Sequence, residues 1–244
     1  MTPAFFERLA EVFGELNRDP ELRAVVLRSS AKAFSYGLDL PAAFSAYGEL
    51  FAGGGASQRT QLLALIERLQ SSIHAVASCP VPVIAAPHGH CIGGGIDLIT
   101  ACDFRLCSAD ANFSVRETRI AIVADLGTLQ RLPLIIGRGP ARELVFTGRD
   151  FGASEAVELG FCNRSYADRD ALWAEADALA RAIADNPPLT VRGCKRVMDF
   201  GERHGAQAGF DYVAAWNSAF LASEDLGEAM AAFMQKRAPS YKGK

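Results

Sequence analysis

The sequence predicts an α/β fold, in which a core of alternating strands and helices is followed by a helical C-terminal region. Short apolar runs bounded by turn residues at Arg23–Arg28, Pro82–Ala86 and Phe104–Cys107 predict buried strands, and helical patterns lie between them. From about Leu126 onward, nearly every apolar pattern has helical spacing. Strands that alternate with helices favour βαβ units and a largely parallel sheet.

The individual elements follow from local signals. Thr2 and Pro3 predict the start of a helix that ends at Asn17–Pro20. Residues 31–57 predict a long loop with a flexible glycine stretch, and Arg59–Ala77 predicts a helix. Later helices are predicted at Leu129–Ile136, Ala141–Phe146, Ala153–Leu159, Arg169–Ala184, Leu189–Phe200, Ala206–Leu221 and Glu224–Arg237. We expect a core over residues 1–185 and a helical region over residues 186–244.

Composition and charge argue against several classes of protein. The chain has 244 residues and a formal net charge of -3, so it lacks the basic character typical of nucleic-acid-binding or anionic-membrane-binding proteins. The longest apolar region, Val76–Thr100, is interrupted by prolines, histidines and glycines and does not predict a membrane span. The charge and this interrupted region lead us to expect no nucleic-acid or membrane partner. Because no signal peptide is visible, we expect a cytoplasmic protein.

The cysteines and histidines suggest no metal centre. None of the six cysteines forms a C-x-x-C pair, and a chain of this length does not need disulfides, so we expect reduced and mostly buried thiols. The sequence His88-Gly-His90-Cys91 could be taken for a metal site, but no second pair of ligands matches it. We therefore predict no bound metal.

A glycine-rich turn is the most informative short stretch. Gly93-Gly-Gly95 follows a predicted strand and opens a short helix, which leaves backbone N–H groups free at the helix start. Such amides suit a phosphate or a developing oxyanion. A tight strand-to-helix turn would explain the same residues.

An acid follows an apolar run. The run Ile120–Ala124 should be buried, and Asp125 comes directly after it. A buried carboxylate is costly unless its pKa shifts or it finds a partner. By itself, Asp125 predicts either the N-cap of the following helix or a functional acid.

Motifs along almost the whole chain resemble those of the crotonase (enoyl-CoA hydratase/isomerase) superfamily. They are Lys32–Leu40, Pro82–Ala86, Gly93–Gly95, Ala101–Asp103, Gly127–Pro133, Thr147–Arg149, Ala153–Gly160 and Phe233–Pro239. The resemblance implies a crotonase-like ββα spiral core, a helical C-terminal oligomerisation region and a homotrimer or hexamer. It also implies an acyl-CoA substrate and no cofactor, because coenzyme A is part of the substrate.

The resemblance also implies a binding site for the thioester. Members of this superfamily hold the thioester oxygen between two backbone amides, which by position belong to Leu38 and Gly94. The remaining residues implied in substrate and coenzyme A binding are Lys32, Tyr36, Gly37, Gly93 and Gly95. Tyr36 stands where the family commonly has alanine. Family members usually have an N-terminal strand pair before the first helix, so we expect the natural start to lie upstream of Met1.

Three acids distinguish the possible reactions. Hydratases of the family have a glutamate at the position of Asp97 and a second at Glu117, and the shorter Asp97 argues against their water-binding geometry. Asp97, Glu117 and Asp125 together resemble the dienoyl-CoA isomerase branch. That resemblance implies a shift of double bonds from 3,5 to 2,4 in fatty-acid β-oxidation, with Glu117 acting at C2, Asp125 at C6 and Asp97 tuning Glu117. The reverse assignment of the two ends stays open.

Two other functions remain possible on the sequence. An enoyl-CoA hydratase would need Asp97 and Glu117 but not Asp125, and a crotonase-fold binding subunit could have lost catalysis. For other conspicuous residues we expect structural roles: Asp39 and Asp103 in caps or turns, Arg131 near the pocket wall, and Tyr212 and Trp216 in a core or a subunit interface.

Overall fold

Eleven α-helices and seven short strands make up the computed structural model, which describes residues 1–244. The strands are β1 (Val25–Leu27), β2 (Val83–Ala85), β3 (His90–Ile92), β4 (Phe104–Ser108), β5 (Asn112–Ser114), β6 (Phe151–Gly152) and β7 (Arg164–Tyr166). The helices are α1 (Pro3–Leu16), α2 (Leu40–Phe51), α3 (Ala56–Ala77), α4 (Gly94–Thr100), α5 (Thr128–Ile136), α6 (Arg138–Thr147), α7 (Ala153–Glu158), α8 (Arg169–Ala184), α9 (Pro188–His204), α10 (Ala206–Phe220) and α11 (Glu224–Gln235).

The strands form two sheets. The first has the order β1-β2-β4-β7, and its β2–β4 and β4–β7 pairs are parallel, with Ile84 opposite Phe104 and Leu106 opposite Arg164. The second has the order β3-β5-β6, with a parallel and an antiparallel pair. The α/β fold with a largely parallel sheet is therefore confirmed. The second sheet was not predicted, because its strands β3, β5 and β6 do not form continuous apolar runs like those around β1 and β2.

The predicted helices are confirmed to within a few residues, and α1 shows why. The Thr2 hydroxyl accepts the Phe5 N–H at 3.3 Å, which caps the helix, and Pro3 occupies its first turn. Phe6, Leu9 and Phe13 are buried along one face of α1.

The predicted loop over residues 31–57 is partly wrong, because it contains α2. Asp39 is the N-cap of this helix and accepts the Ala42 N–H at 3.0 Å, and Pro41 lies in the first turn. Asp39 and Pro41 are a sequence signal for a helix start, within a segment otherwise rich in turn residues. The capping role expected for Asp39 is confirmed.

The residues group into two compact units. The first comprises Met1–Pro20, Val26–Cys79 and Val83–Ala176, and the second comprises Glu21–Val25, Pro80–Pro82 and Asp177–Lys244. In the second unit, the Trp216 indole packs against Gly193 and its centroid lies 4.8 Å from that of Phe220. These contacts agree with a packing role for Trp216.

Buried polar and thiol groups match their expected structural roles. Five of the six cysteines are buried and reduced, and Cys194 is exposed. Asp103 accepts the Val83 N–H at 2.7 Å, so it ties the end of α4 to β2. None of the helices has the length and apolar character needed to cross a membrane.

Candidate active site

A loop segment that runs beside β3 builds one wall of the site. The Ser35 N–H donates to the His90 carbonyl at 2.9 Å, and the Ile92 N–H donates to the Ser35 carbonyl at 3.0 Å. Gly37 has a φ of +85°, and a Cβ there would lie 3.0 Å from the Ile92 carbonyl oxygen. Glycine is therefore needed for the close approach of this segment to β3.

The two amides expected at the thioester are brought together. At Gly93 the φ is +54°, so the chain turns sharply after β3 and α4 begins at Gly94. A Cβ on Gly94 would lie 4.0 Å from the Leu38 nitrogen and 3.2 Å from the Met1 sulfur. Neither the Leu38 nor the Gly94 N–H donates to another group of the chain. Two neighbouring free N–H groups can bind a developing negative charge.

Glu117 lies against the glycine turn. It begins a 3-10 helix over Glu117–Ile120, and a Cβ on Gly93 would lie 3.2 Å from Glu117 Oε1. Its Oε2 is buried without a hydrogen-bond partner. Burial raises the pKa of Glu117 to about 7, and the negative charges of Asp97 and Asp125 contribute. An unpartnered buried carboxyl oxygen next to free amides is typical of a functional group.

Asp97 is held by a residue of the neighbouring helix. It is 1% exposed on α4, and its Oδ1 accepts the Thr128 N–H at 2.8 Å and the Thr128 hydroxyl at 2.7 Å. Burial raises the pKa of Asp97, while the hydrogen bonds from Thr128 oppose that rise. The charge of Asp125 raises this pKa further and that of Arg131 lowers it.

Asp125 lies close enough to couple with the other two acids. Its side chain is exposed in the single chain, its backbone carbonyl accepts from Gln70 Nε2 at 2.7 Å, and partial burial raises its pKa. The N-cap interpretation is wrong, because Gly127 occupies the cap position of α5 and the first amide of that helix donates to Asp97. Asp125 is thus free of a capping role.

The apolar run before Asp125 is not buried as predicted. Val123 is 74% exposed, Ile120 and Ile122 are also exposed, and only Ala124 is buried. The 3-10 helix ends at Ile120, and Ala121 adopts a left-handed conformation with a φ of +59°. This turn directs the rest of the run to the surface of the single chain.

The other residues implied in substrate binding are less closely grouped. Gly95 is buried, and a Cβ there would lie 2.9 Å from the Ser35 Cβ, so it packs closely against this segment. Tyr36 is 64% exposed with its ring 5.2 Å from that of His90, and Lys32 is exposed. All three lie on or next to the segment that carries the Leu38 amide.

Two residues of α5 act on Asp97. Thr128 was missed as a partner of Asp97, since the two are 31 residues apart and no local pattern links them. Arg131 donates to the Leu126 carbonyl at 3.3 Å, and its charge acts on Asp97. The whole arrangement offers two amides for an oxyanion and a coupled group of three acids for proton transfer.

Comparison with known sequences gives a consistent result. The sequence profile described as enoyl-CoA hydratase/isomerase matches residues 1–244. A Dictyostelium discoideum protein named Delta(3,5)-Delta(2,4)-dienoyl-CoA isomerase, mitochondrial, is 41% identical over 99% of this chain and 83% of its own length. The Arabidopsis thaliana peroxisomal protein of the same enzyme name is 42% identical over 97% of this chain and 86% of its own length. Both the family and the branch expected from the motifs agree with these matches.

Solved structures share the fold. The crystal structure of enoyl-CoA hydratase from Bacillus anthracis matches with a TM-score of 0.89 and 32% identity, covering 100% of this chain and 90% of the other. The crystal structure of a putative enoyl-CoA hydratase from Streptomyces coelicolor A3(2) matches with a TM-score of 0.91 and 28% identity. The match covers 100% of this chain and 86% of the other. The expected spiral fold with C-terminal helices is confirmed.

The expected cellular location is contradicted. The dienoyl-CoA isomerases to which the chain is similar are named as mitochondrial or peroxisomal proteins. Their names point to an organelle, so the cytoplasmic prediction is wrong. It depended only on the lack of a recognisable signal peptide in the sequence.

Proposed function

The chain belongs to the enoyl-CoA hydratase/isomerase family, and we propose that within it the chain converts 3,5-dienoyl-CoA to 2,4-dienoyl-CoA in fatty-acid β-oxidation. The observation that carries this proposal is the coupled group of Asp97, Glu117 and Asp125 beside two free backbone amides. The likeness to dienoyl-CoA isomerases, at about 40% identity, supports it.

The thioester oxygen binds between the amides of Leu38 and Gly94. These N–H groups are neighbours, and neither is used within the chain. Removal of a proton from C2 places negative charge on this oxygen, so the two donors act most strongly on the intermediate. One such donor is worth about 3–4 kcal/mol.

Glu117 removes the proton at C2. Its Oε1 lies next to Gly93, one residue before the Gly94 amide, and C2 is bonded to the thioester carbon. A pKa of about 7 suits this role, because a base is most effective when its pKa lies near the working pH. The electron pair of the C2–H bond then spreads over C2, C4 and C6 and onto the thioester oxygen.

Asp125 gives a proton to C6. The dienolate accepts it there, the double bonds settle at positions 2 and 4, and Glu117 holds the proton taken from C2. To donate, Asp125 must be neutral, and its raised pKa moves it in that direction. An apolar acyl chain bound beside it would displace water and raise the pKa further.

The hydrogen bonds and the length of the Asp97 side chain argue against a hydratase reaction. Its Oδ1 already accepts both hydrogen bonds from Thr128, and its side chain is one methylene shorter than the glutamate of the family's hydratases. Asp97 therefore acts on Glu117 through its charge, and Glu117 is left without a second glutamate to position a water molecule.

Coenzyme A arrives as part of the substrate, so no separate cofactor or metal is proposed. Lys32 and Tyr36 are exposed on the segment that leads to Gly37 and Leu38, and they are proposed to contact coenzyme A. Gly95 packs against Ser35 of this segment.

We also propose a homotrimer or hexamer that uses the C-terminal region over residues 186–244, with the core over residues 1–185. Exposed apolar side chains on α10 and α11 support this: Phe210, Phe220, Met230, Phe233 and Met234. Large exposed apolar groups of this kind mark association surfaces. Sedimentation equilibrium of the purified chain should give three or six times the monomer mass, and a monomer would contradict the proposal.

The function is tested by offering the purified chain two substrates. With 3,5-dienoyl-CoA we expect 2,4-dienoyl-CoA, followed by the absorbance of the conjugated thioester. With 2-enoyl-CoA we expect little 3-hydroxyacyl-CoA. Strong hydration without isomerisation would reject the proposal in favour of a hydratase, and binding of both thioesters without turnover would identify a binding subunit.

A further inference from the structure

A threonine outside the proposed chemistry fixes one of the three acids. Thr128 is 0% exposed at the start of α5, and Asp97 is 1% exposed on α4. The Thr128 N–H and hydroxyl both donate to Asp97 Oδ1, at 2.8 and 2.7 Å. Two donors on one carboxylate oxygen hold the group in one orientation and favour its charged form.

We propose that Thr128 is a positioning residue that keeps Asp97 fixed and charged beside Glu117, so that Glu117 is a stronger base toward the C2 proton. The inference rests on the proposed function and assigns to it a residue that acts only through Asp97. The backbone N–H alone would hold the carboxylate more weakly. The hydrogen bond from the hydroxyl is the one that a side-chain substitution can remove.

Groups from several elements act on this pair of acids. Arg131 on α5 favours the charge of Asp97, while Asp125 opposes it. Cys102, which follows α4, interacts electrostatically with Arg131. Cys91 on β3 interacts electrostatically with Cys102. Burial raises the pKa of Cys91 well above its ordinary value, so it is a neutral thiol. On α3, which also packs against α4, the charged or titratable side chains are exposed, namely Arg59, Glu67, Arg68 and His74.

The direction of the effect follows from these charges. Without the hydroxyl, the charged form of Asp97 loses a hydrogen bond and its pKa rises further above the ordinary value. Asp97 then takes up a proton nearer to neutral pH. The Glu117 carboxylate loses a negative neighbour, so its pKa falls from about 7. Glu117 becomes a weaker base, and the acidic limb of the pH profile moves to lower pH.

The test measures the charge of Glu117 directly. Carbon-13 NMR of the side-chain carboxyl groups is titrated in the full chain, with the Glu117 signal identified by its loss in Glu117→Gln. In Thr128→Val we expect the pKa of Glu117 to fall, by up to about one pH unit. Thr128→Ser restores the hydroxyl and should return the wild-type pKa. Thr60→Val, in exposed α3, is the matched control and should change nothing.

A second variant keeps the inference testable if Thr128→Val does not fold. Asp97→Asn removes this charge outright with little change of shape, and it should lower the pKa of Glu117 by at least as much as Thr128→Val does. An unchanged Glu117 pKa in Asp97→Asn or in folded Thr128→Val would overturn the inference, as would an equal fall in Thr60→Val. If the wild type fails to isomerise dienoyl-CoA, the proposed function fails, whereas the NMR titration still decides the role of Thr128.

Discussion

Glu117→Gln should lower kcat/KM for isomerisation of 3,5-dienoyl-CoA by about 10²–10⁴-fold. The amide keeps the shape of the side chain but cannot take the C2 proton. In the wild type, we expect kcat/KM to rise with pH through about 7, because Glu117 must be ionised to act and its pKa is about 7. The variant should lose this rise along with its activity. Stopped-assay rates between acidic and alkaline pH measure both effects.

Glu158→Gln is the matched control for this change. Glu158 ends α7 and is exposed, so the same substitution there should leave both the rate and its pH dependence as in the wild type. Retention of more than a tenth of the wild-type kcat/KM in Glu117→Gln would rule out Glu117 as the base at C2.

Asp125→Asn should lower the same rate by about 10²–10⁴-fold, but at a different step. Glu117 still removes the C2 proton in this variant, so the substrate should continue to exchange its C2 hydrogens with solvent deuterium. Without a neutral carboxyl group at the far end, the dienolate returns to the starting material instead of gaining a proton at C6. Proton NMR of the substrate in D₂O follows the exchange while absorbance follows the product.

Asp185→Asn provides the control, since Asp185 is an exposed acid in the C-terminal part of the chain. A hydratase would behave differently, with hydration of 2-enoyl-CoA unaffected by Asp125→Asn. If Asp125→Asn abolished C2 exchange as well as isomerisation, Asp125 would be the group at C2, which is the reverse of the proposed assignment.

Much of the fold could be predicted from local patterns. Helices such as α8 and α10 have long amphipathic sequences, and their observed bounds differ little from those predicted. The strands β3, β5 and β6 were not predicted, because polar residues and glycine interrupt their apolar positions, whereas β1 and β2 lie in continuous apolar runs. Asp39 and Pro41 signal the start of α2, which the prediction of a loop over residues 31–57 missed.

The site was less accessible to local reasoning. Asp97, Glu117 and Asp125 lie on α4, on the 3-10 helix and in the segment before α5, so only the family resemblance could group them. The exposure of Ile122 and Val123 follows from the left-handed Ala121, and alanine gives no sequence signal for a positive φ. The hydrogen bond from Thr128 to Asp97 joins two helices, so no local sequence pattern predicts it.

The position of the new hydrogen in the product tests the central claim most directly. Wild-type chain and 3,5-dienoyl-CoA are mixed in D₂O, and the 2,4-dienoyl-CoA product is analysed by NMR. The proposed two-acid transfer predicts deuterium at C6. Deuterium at C4, with double bonds at positions 2 and 5, or a hydroxyl group at C3, would contradict it.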